Sequence, residues 1–264
     1  MTLRIDDTPS PGSSAMSAGQ VPAPPTGEVV HVFTTCLVDQ LRPDIGAAVF
    51  GVLRRYGYRP VPVRGGTCCG QPAWNTGLTT AARRVARHTL RALAATTGPV
   101  IVPSGSCATM MIEFWPELFR GTRDEAAAIA AAERVTELSA FLGPHAASSR
   151  VADGHNRVVY HDSCHMLREL GIHDAPRRLL AADGITVVDL DGAELCCGFG
   201  GTFSVKLPEI STAMADEKLD AVVATGVRRI VGCDYSCMLH LQGRAERRGL
   251  DIDARHIAEV LDGG

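Results

Sequence analysis

The residues of this sequence best suited to chemistry are its nine cysteines: Cys36, Cys68, Cys69, Cys107, Cys164, Cys196, Cys197, Cys233 and Cys237. Their spacing repeats. Cys36 to Cys68 is a step of 32 residues, and so is Cys164 to Cys196. Each second position is a Cys-Cys-Gly, at Cys68-Cys69-Gly70 and Cys196-Cys197-Gly198. A late cysteine follows Cys69 after 38 residues, at Cys107, and follows Cys197 after 36 (Cys233) or 40 (Cys237). Self-similarity at fixed offsets signals an internal repeat. Four converging thiolates suit zinc or an iron–sulfur cluster. Structural zinc uses pairs of C-x₂₋₄-C knuckles, and neither copy has such a pair. Adjacent cysteines are awkward for one small tetrahedral ion, whereas a multi-iron cluster offers each thiolate its own iron. The pattern therefore favours clusters over zinc, over a redox-active vicinal dithiol and over simple burial of small apolar side chains. Gly70, Gly198, Gly200 and Gly201 allow the backbone to approach closely and to point N–H groups at sulfur.

Composition bounds the alternatives. The 264 residues are 45% hydrophobic and 21% charged, ordinary for a globular protein. A formal net charge of −3 gives no electrostatic case for nucleic acid or an anionic membrane. No apolar run approaches the roughly 20 residues of a membrane span. Residues 1–27 lack an apolar signal segment and read as a disordered leader, which makes the cytoplasm the expected compartment. Structural disulfides are rare there, so the cysteines need another explanation.

The elements that must position these cysteines repeat as well. Val29–Phe33 precedes Cys36 and Arg157–His161 precedes Cys164; both read as buried strands. Helices are expected over Pro43–Tyr56 and Ala175–Ala182, closed by Gly57 and Gly184. Strands at Arg59–Val63 and Ile185–Leu190 then lead into the Cys-Cys-Gly loops. Helices near Thr79–Ala95 and Glu209–Ala224 and strands at Val100–Val102 and Arg229–Val231 follow, and Val135–Leu142 resembles His256–Leu261. Alternation of strand and helix implies parallel sheets, whose ligands gather at the strands' C-terminal ends. The expected fold is α/β: two pseudo-symmetric repeats, each with a small parallel sheet flanked by helices. The first occupies residues 28–143, the second 157–264, with a linker at 144–156.

At this point the sequence resembles a known family. Cys68-Cys69-Gly70-Gln71-Pro72 and Cys196-Cys197-Gly198-Phe199-Gly200-Gly201, each with its upstream cysteine, resemble the duplicated cysteine-rich "CCG" domain. That domain occurs in the cysteine-rich subunit of heterodisulfide reductase, in the glycolate oxidase iron–sulfur subunit and in lactate-utilisation proteins. With Thr35–Asp39, Pro103–Cys107 and Cys197–Ser204, and with no ferredoxin-type region, the chain is similar to the small iron–sulfur subunit of the lactate-utilisation complex. The resemblance spans about residues 29–262. It implies iron–sulfur clusters, with [4Fe-4S] the leading type, and electron transfer during oxidation of L-lactate to pyruvate. It also implies two partners, a ferredoxin-like iron–sulfur protein and a third small subunit. Alternatives are a heterodisulfide reductase-type catalytic subunit and a glycolate oxidase subunit. One cluster would use Cys36, Cys68, Cys69 and Cys107; the other Cys164, Cys196, Cys197 and Cys237, with Cys233 as a fifth candidate. The related reductase closes each set with a C-x₂-C, from which this chain departs at Ser104 and at Cys233-x₃-Cys237.

Other residues have plainer readings. His161 and His165 flank Cys164 and could be ligands, but such histidines more often donate hydrogen bonds or cap helices. Arg83, Arg84, Arg87 and Arg91 read as a solvated helix face. Trp74 and Trp115 read as core or interface anchors, and Met110, Met111 and Met166 as apolar packing beside ligand cysteines. Gly198–Thr202 does not match a phosphate-binding loop.

Overall fold

The computed structural model describes residues 27–146 and 156–263. The expected leader up to residue 26, and 147–155 of the expected linker, lie outside them.

Two four-stranded, all-parallel sheets form the frame. The first contains β1 (Val29–Val32), β2 (Arg59–Pro62), β3 (Val100–Val102) and β4 (Val135–Glu137), in the order β2-β1-β3-β4. The second contains β5 (Arg157–His161), β6 (Thr186–Val188), β7 (Arg229–Gly232) and β8 (Asp253–His256), in the order β6-β5-β7-β8. His31 sits beside Val100 in the first, and Val159 beside Ile230 in the second. Every residue of β3 is buried, as expected of a strand covered on both faces. In each half the strand order reverses between the first and third strands, the place where parallel α/β sheets hold ligands.

The helices follow the sequence reading closely. Pro43–Arg55 starts on proline, and Gly57 follows it at φ +84°. Asp174–Ala182 is followed by Gly184 at φ +76°. Only a residue tolerant of left-handed backbone ends a helix this way cheaply. The longer helices run Thr79–Ala94 and Pro208–Ala224. The sixth strand is shorter than expected, because the chain turns at once: Ala193 N donates to Leu190 O and Gly192 sits at φ +66°.

The halves pack reciprocally. Pro43–Arg55 of the first lies on Ile257–Leu261 of the second, and Asp174–Ala182 lies on Leu138–Leu142. Val30, Val49, Leu53, Val158, Leu179 and Ile257 share one apolar core across this interface. The helix after the first cysteine of each half packs on the helix that carries the last cysteine of the other. Cys36–Leu41 meets Tyr235–Arg247, and Cys164–Arg168 meets Gly105–Thr109. This exchange turns the two cysteine-bearing edges toward each other.

Candidate metal centre

Each first cysteine opens a short helix just past a strand. Cys36 follows β1, and Cys164 follows β5. The Cys-Cys-Gly loops follow β2 and β6, and Cys107 and Cys237 lie in helices that follow β3 and β7. In the first set, Cys36 Sγ lies 3.9 Å from Cys68 Sγ and Cys69 Sγ lies 3.3 Å from Cys107 Sγ. Vicinal sulfurs therefore reach different partners. The second set is built alike, with Cys164 against Cys196 and Cys197 against Cys237. Burial matches too: Cys69, Cys107, Cys197 and Cys237 are buried, while Cys36, Cys68, Cys164 and Cys196 are half-buried. All nine cysteines are free thiols. These eight line one cleft of about 180 Å³, where a single water needs only ~10–15 Å³.

Glycine makes each loop possible. Gly70 and Gly198 sit at φ +93° and +89°, and each donates its N–H to the sulfur two residues back, at 3.4 Å. A Cβ on Gly70 would lie 2.9 Å from Ala82 O, and one on Gly198 would lie 2.4 Å from Ser211 O. Side chains beneath the loops hold them down. In the first half Thr89 Oγ1 donates to Cys68 O and Trp115 Nε1 donates to Cys69 O. In the second, Ser211 Oγ donates to Gly198 O and the buried Lys218 ammonium donates to Gly192 O and Ala193 O.

In each set one sulfur is held as thiolate by a neighbouring S–H. A hydrogen bond from Cys36 holds Cys68 as thiolate, its pKa pulled down to about 3. The same contact, with burial, pushes Cys36 up. Cys164 does likewise for Cys196, pulled down to about 2, and is itself raised. The Cys107 contact raises Cys69, and the Cys196 contact raises Cys197. Only with a positive centre among them would all four sulfurs of a set ionise together. A cluster with several irons fits: it supplies that charge, and neighbouring sulfurs aimed at different partners suit separate irons.

A family model described as a cysteine-rich domain, CCG, matches this chain twice, over residues 30–112 and 158–242. The two matches contain the two cysteine sets. The chain belongs to this cysteine-rich family. Relatives match it over almost their whole length. "Lactate utilization protein A" of Geobacillus kaustophilus is 42% identical over 236 residues, 88% of this chain and 98% of that protein. The Exiguobacterium protein of the same name is 41% identical over 241 residues, 89% and 97%. "Lactate utilization protein A 2" of Bacillus cereus is 36% identical over 241 residues, 89% and 98%.

Within this family frame, Cys233 stands apart from the other cysteines. It occupies the place of Pro103 in the first repeat, immediately after its strand, and its side chain turns into the core between the halves. There its Sγ lies 3.0 Å from Tyr160 Oη, and it does not line the cleft. Cys237, one helical turn later, lies with Cys197 instead. His165 lines the cleft, its Nδ1 3.6 Å from Cys164 Sγ, and His161 is buried. Met110 and Met111 share a core cluster with Cys69 and Cys107, whereas Met166 packs in the core between the halves. Trp74 packs against Phe114 with 5.7 Å between ring centroids and the rings tilted by 34°. The arginine face is only partly solvated: Arg87 pairs with Asp124 at 2.6 Å and Arg83 donates to Leu118 O.

One residue in the cleft escaped the sequence reading. Asp234 takes the place of Ser104 in the second repeat. It is buried, and it accepts from Ser104 Oγ, Ser106 N and Ser106 Oγ of the first half, and from Ser163 Oγ of its own. Its carboxylate ties the two cysteine sets together at the floor of the cleft. An acidic residue three before a ligand-type cysteine, where the first copy has serine, was the available signal.

Proposed function

We propose that this chain is an iron–sulfur electron-transfer subunit of a cytoplasmic complex that oxidises L-lactate to pyruvate. Cys36, Cys68, Cys69 and Cys107 hold one centre, and Cys164, Cys196, Cys197 and Cys237 hold the other, each of the [4Fe-4S] type. Such centres, when bound, accept and release single electrons. The chain's own part is to supply the thiolates, to aim the Gly70 and Gly198 N–H groups at sulfur, and to shield the buried cysteines from water. Its partners are a ferredoxin-like iron–sulfur protein and a third small subunit.

The observation that carries this reading is the convergence of two equivalent four-cysteine sets on one cleft. The lactate assignment draws on the names of the relatives. All eight of these cysteines line the cleft, which supports a relay built on thiolate-held centres. Among the described residues no helix is long and apolar enough to cross a membrane. Deleting the gene in a host with no other lactate dehydrogenase is expected to abolish growth on L-lactate and spare growth on pyruvate. Unchanged growth on L-lactate would remove the assignment, and a defect on glycolate alone would move it to the glycolate oxidase subunit.

A second reading has one observation in its favour. Both sets open onto the same cleft, so a substrate sulfur could reach either centre, as a thiol–disulfide reductase would require. Against it, Cys233 lies outside the cleft, which leaves the second set without the fifth thiol that reading asks for.

A further inference from the structure

One buried side chain beside the second set lacks a conventional hydrogen-bond partner. His161 ends β5, is 1% exposed, and has no hydrogen-bond partner on either ring nitrogen among the described residues. What the ring faces is sulfur, for it acts on Cys237 and Cys196; a buried polar group without a full partner is destabilising, so a fold that keeps a histidine here is expected to hold something against it. A ring nitrogen of His161 and the Sγ atoms of Cys197 and Cys237 lie within 4.8 Å of one another. These three donors are therefore gathered closely enough to face one metal centre.

The first half shows what the position looks like without this role. Phe33 stands three residues before Cys36, as His161 stands three before Cys164. It is equally buried, and packs in the core with Cys69 and Cys107. A phenyl ring therefore satisfies the fold at this site, and packing does not require the imidazole.

We propose that His161 supplies a nitrogen ligand to the metal centre of the second half, beside Cys197 and Cys237. The centre of the first half is held by thiolates alone. The inference rests on the reading of the cysteine sets as cluster sites. An imidazole nitrogen added to the donor set changes a centre's reduction potential, as axial and neighbouring donors do in other iron proteins. The two centres are then unequal by construction.

The test is nitrogen hyperfine spectroscopy on the reduced, anaerobically isolated full chain grown with ¹⁵N-histidine, with iron and sulfide measured on the same samples. The expected result is one strongly coupled imidazole nitrogen. It persists in His165→Phe, which removes the other histidine near the set, and it disappears in His161→Phe, with one of the two midpoint potentials shifting and the other unchanged. His161→Cys, which restores a sulfur donor, is expected to keep the iron and lose the nitrogen signal. It serves where the phenyl variant fails to fold. Full iron and sulfide with no strongly coupled nitrogen, or a coupling that survives His161→Cys, overturns this inference and leaves the cluster reading standing. Absence of iron and sulfide from the parent protein overturns the cluster reading itself.

Discussion

The two halves share a sheet order, a cysteine spacing and a loop geometry, yet the surroundings of their cysteines differ in polarity. Around the first set lie Phe33, Met110, Met111 and Trp115, all fully or almost fully buried. Around the second lie His161, Lys218 and Asp162, the last held bidentately by Arg177 at 2.7 Å. Duplication kept what geometry demands: the strand ends, the Cys-Cys-Gly turn and the glycine that permits it. It released what only tunes the site. The lesson is that one duplicated scaffold can keep two cysteine sets of matched shape in surroundings of unmatched polarity.

The sharpest way to break the comparison is to remove one set at a time. Cys69→Ser and Cys197→Ser are each expected to lower bound iron by about half, because the sets share no cysteine. Loss of nearly all iron from either variant would show that the sets form one joint site, and iron analysis with circular dichroism to verify folding decides it. The loop glycines come next. Gly198→Ala places a Cβ 2.4 Å from Ser211 O at φ +89°, against 2.9 Å from Ala82 O for Gly70→Ala. Left-handed backbone alone costs a non-glycine residue about 1–2 kcal/mol, so both variants melt lower than the parent, and Gly198→Ala melts the lower of the two.

A third contrast concerns the residues that cap the last helix of each half. Glu137 Oε2 accepts from Ser139 N and Ala140 N, and in the second half His256 Nδ1 accepts from Ala258 N. Burial pushes the Glu137 carboxyl up to about 7 from its usual 4.5. Its folded form favours the proton, so stability is full below pH 4.5 and declines as pH rises toward 7. At about 1.4 kcal/mol per pH unit, the loss is about 3 kcal/mol. Burial instead lowers His256. Its Nε2 faces Pro103 O and Cys233 O, at 3.2 and 3.0 Å, which fixes the neutral, Nε2-protonated ring. Its contribution is present above the usual 6.5 of histidine and is lost as pH falls below that value. Glu137→Gln is therefore expected to melt higher than the parent at pH 8 and to lose that advantage at pH 5. Parallel melting curves at both values would contradict the assignment. The smallest effect is expected at the seam between the halves. Ser104→Ala removes a helix cap on Cys107 N and one donor to Asp234, a cost of about 1 kcal/mol, read as a lower denaturant midpoint with iron content unchanged.

Much of this was legible in the chain. The strands and helices follow from apolar runs, Pro at helix starts and Gly57 and Gly184 at helix ends, all local signals. The eight clustered cysteines announced themselves by repeating their spacing. What stayed hidden depends on contacts across the halves. No local pattern says that Cys36–Leu41 will pack on Tyr235–Arg247, and that packing places both sets in one cleft. Ser236-Cys237 matches Ser106-Cys107 and so marks Cys237 as the fourth cysteine of its set; that Cys233 turns into the core is not readable from spacing. Asp234, Glu137 and His256 were missed for a common reason: their burial as charged or polar groups is justified only by partners far away in sequence or by caps whose helices are five residues long.

The central claim is that two sets of four thiolates each bind inorganic iron and sulfide, and quantification of iron and acid-labile sulfide in the anaerobically isolated chain tests it most directly. The account predicts a brown protein with near-equal iron and sulfide, about eight of each per chain if both centres are of the four-iron type. A colourless protein that contains zinc, or that stays free of sulfide after reconstitution, would contradict it.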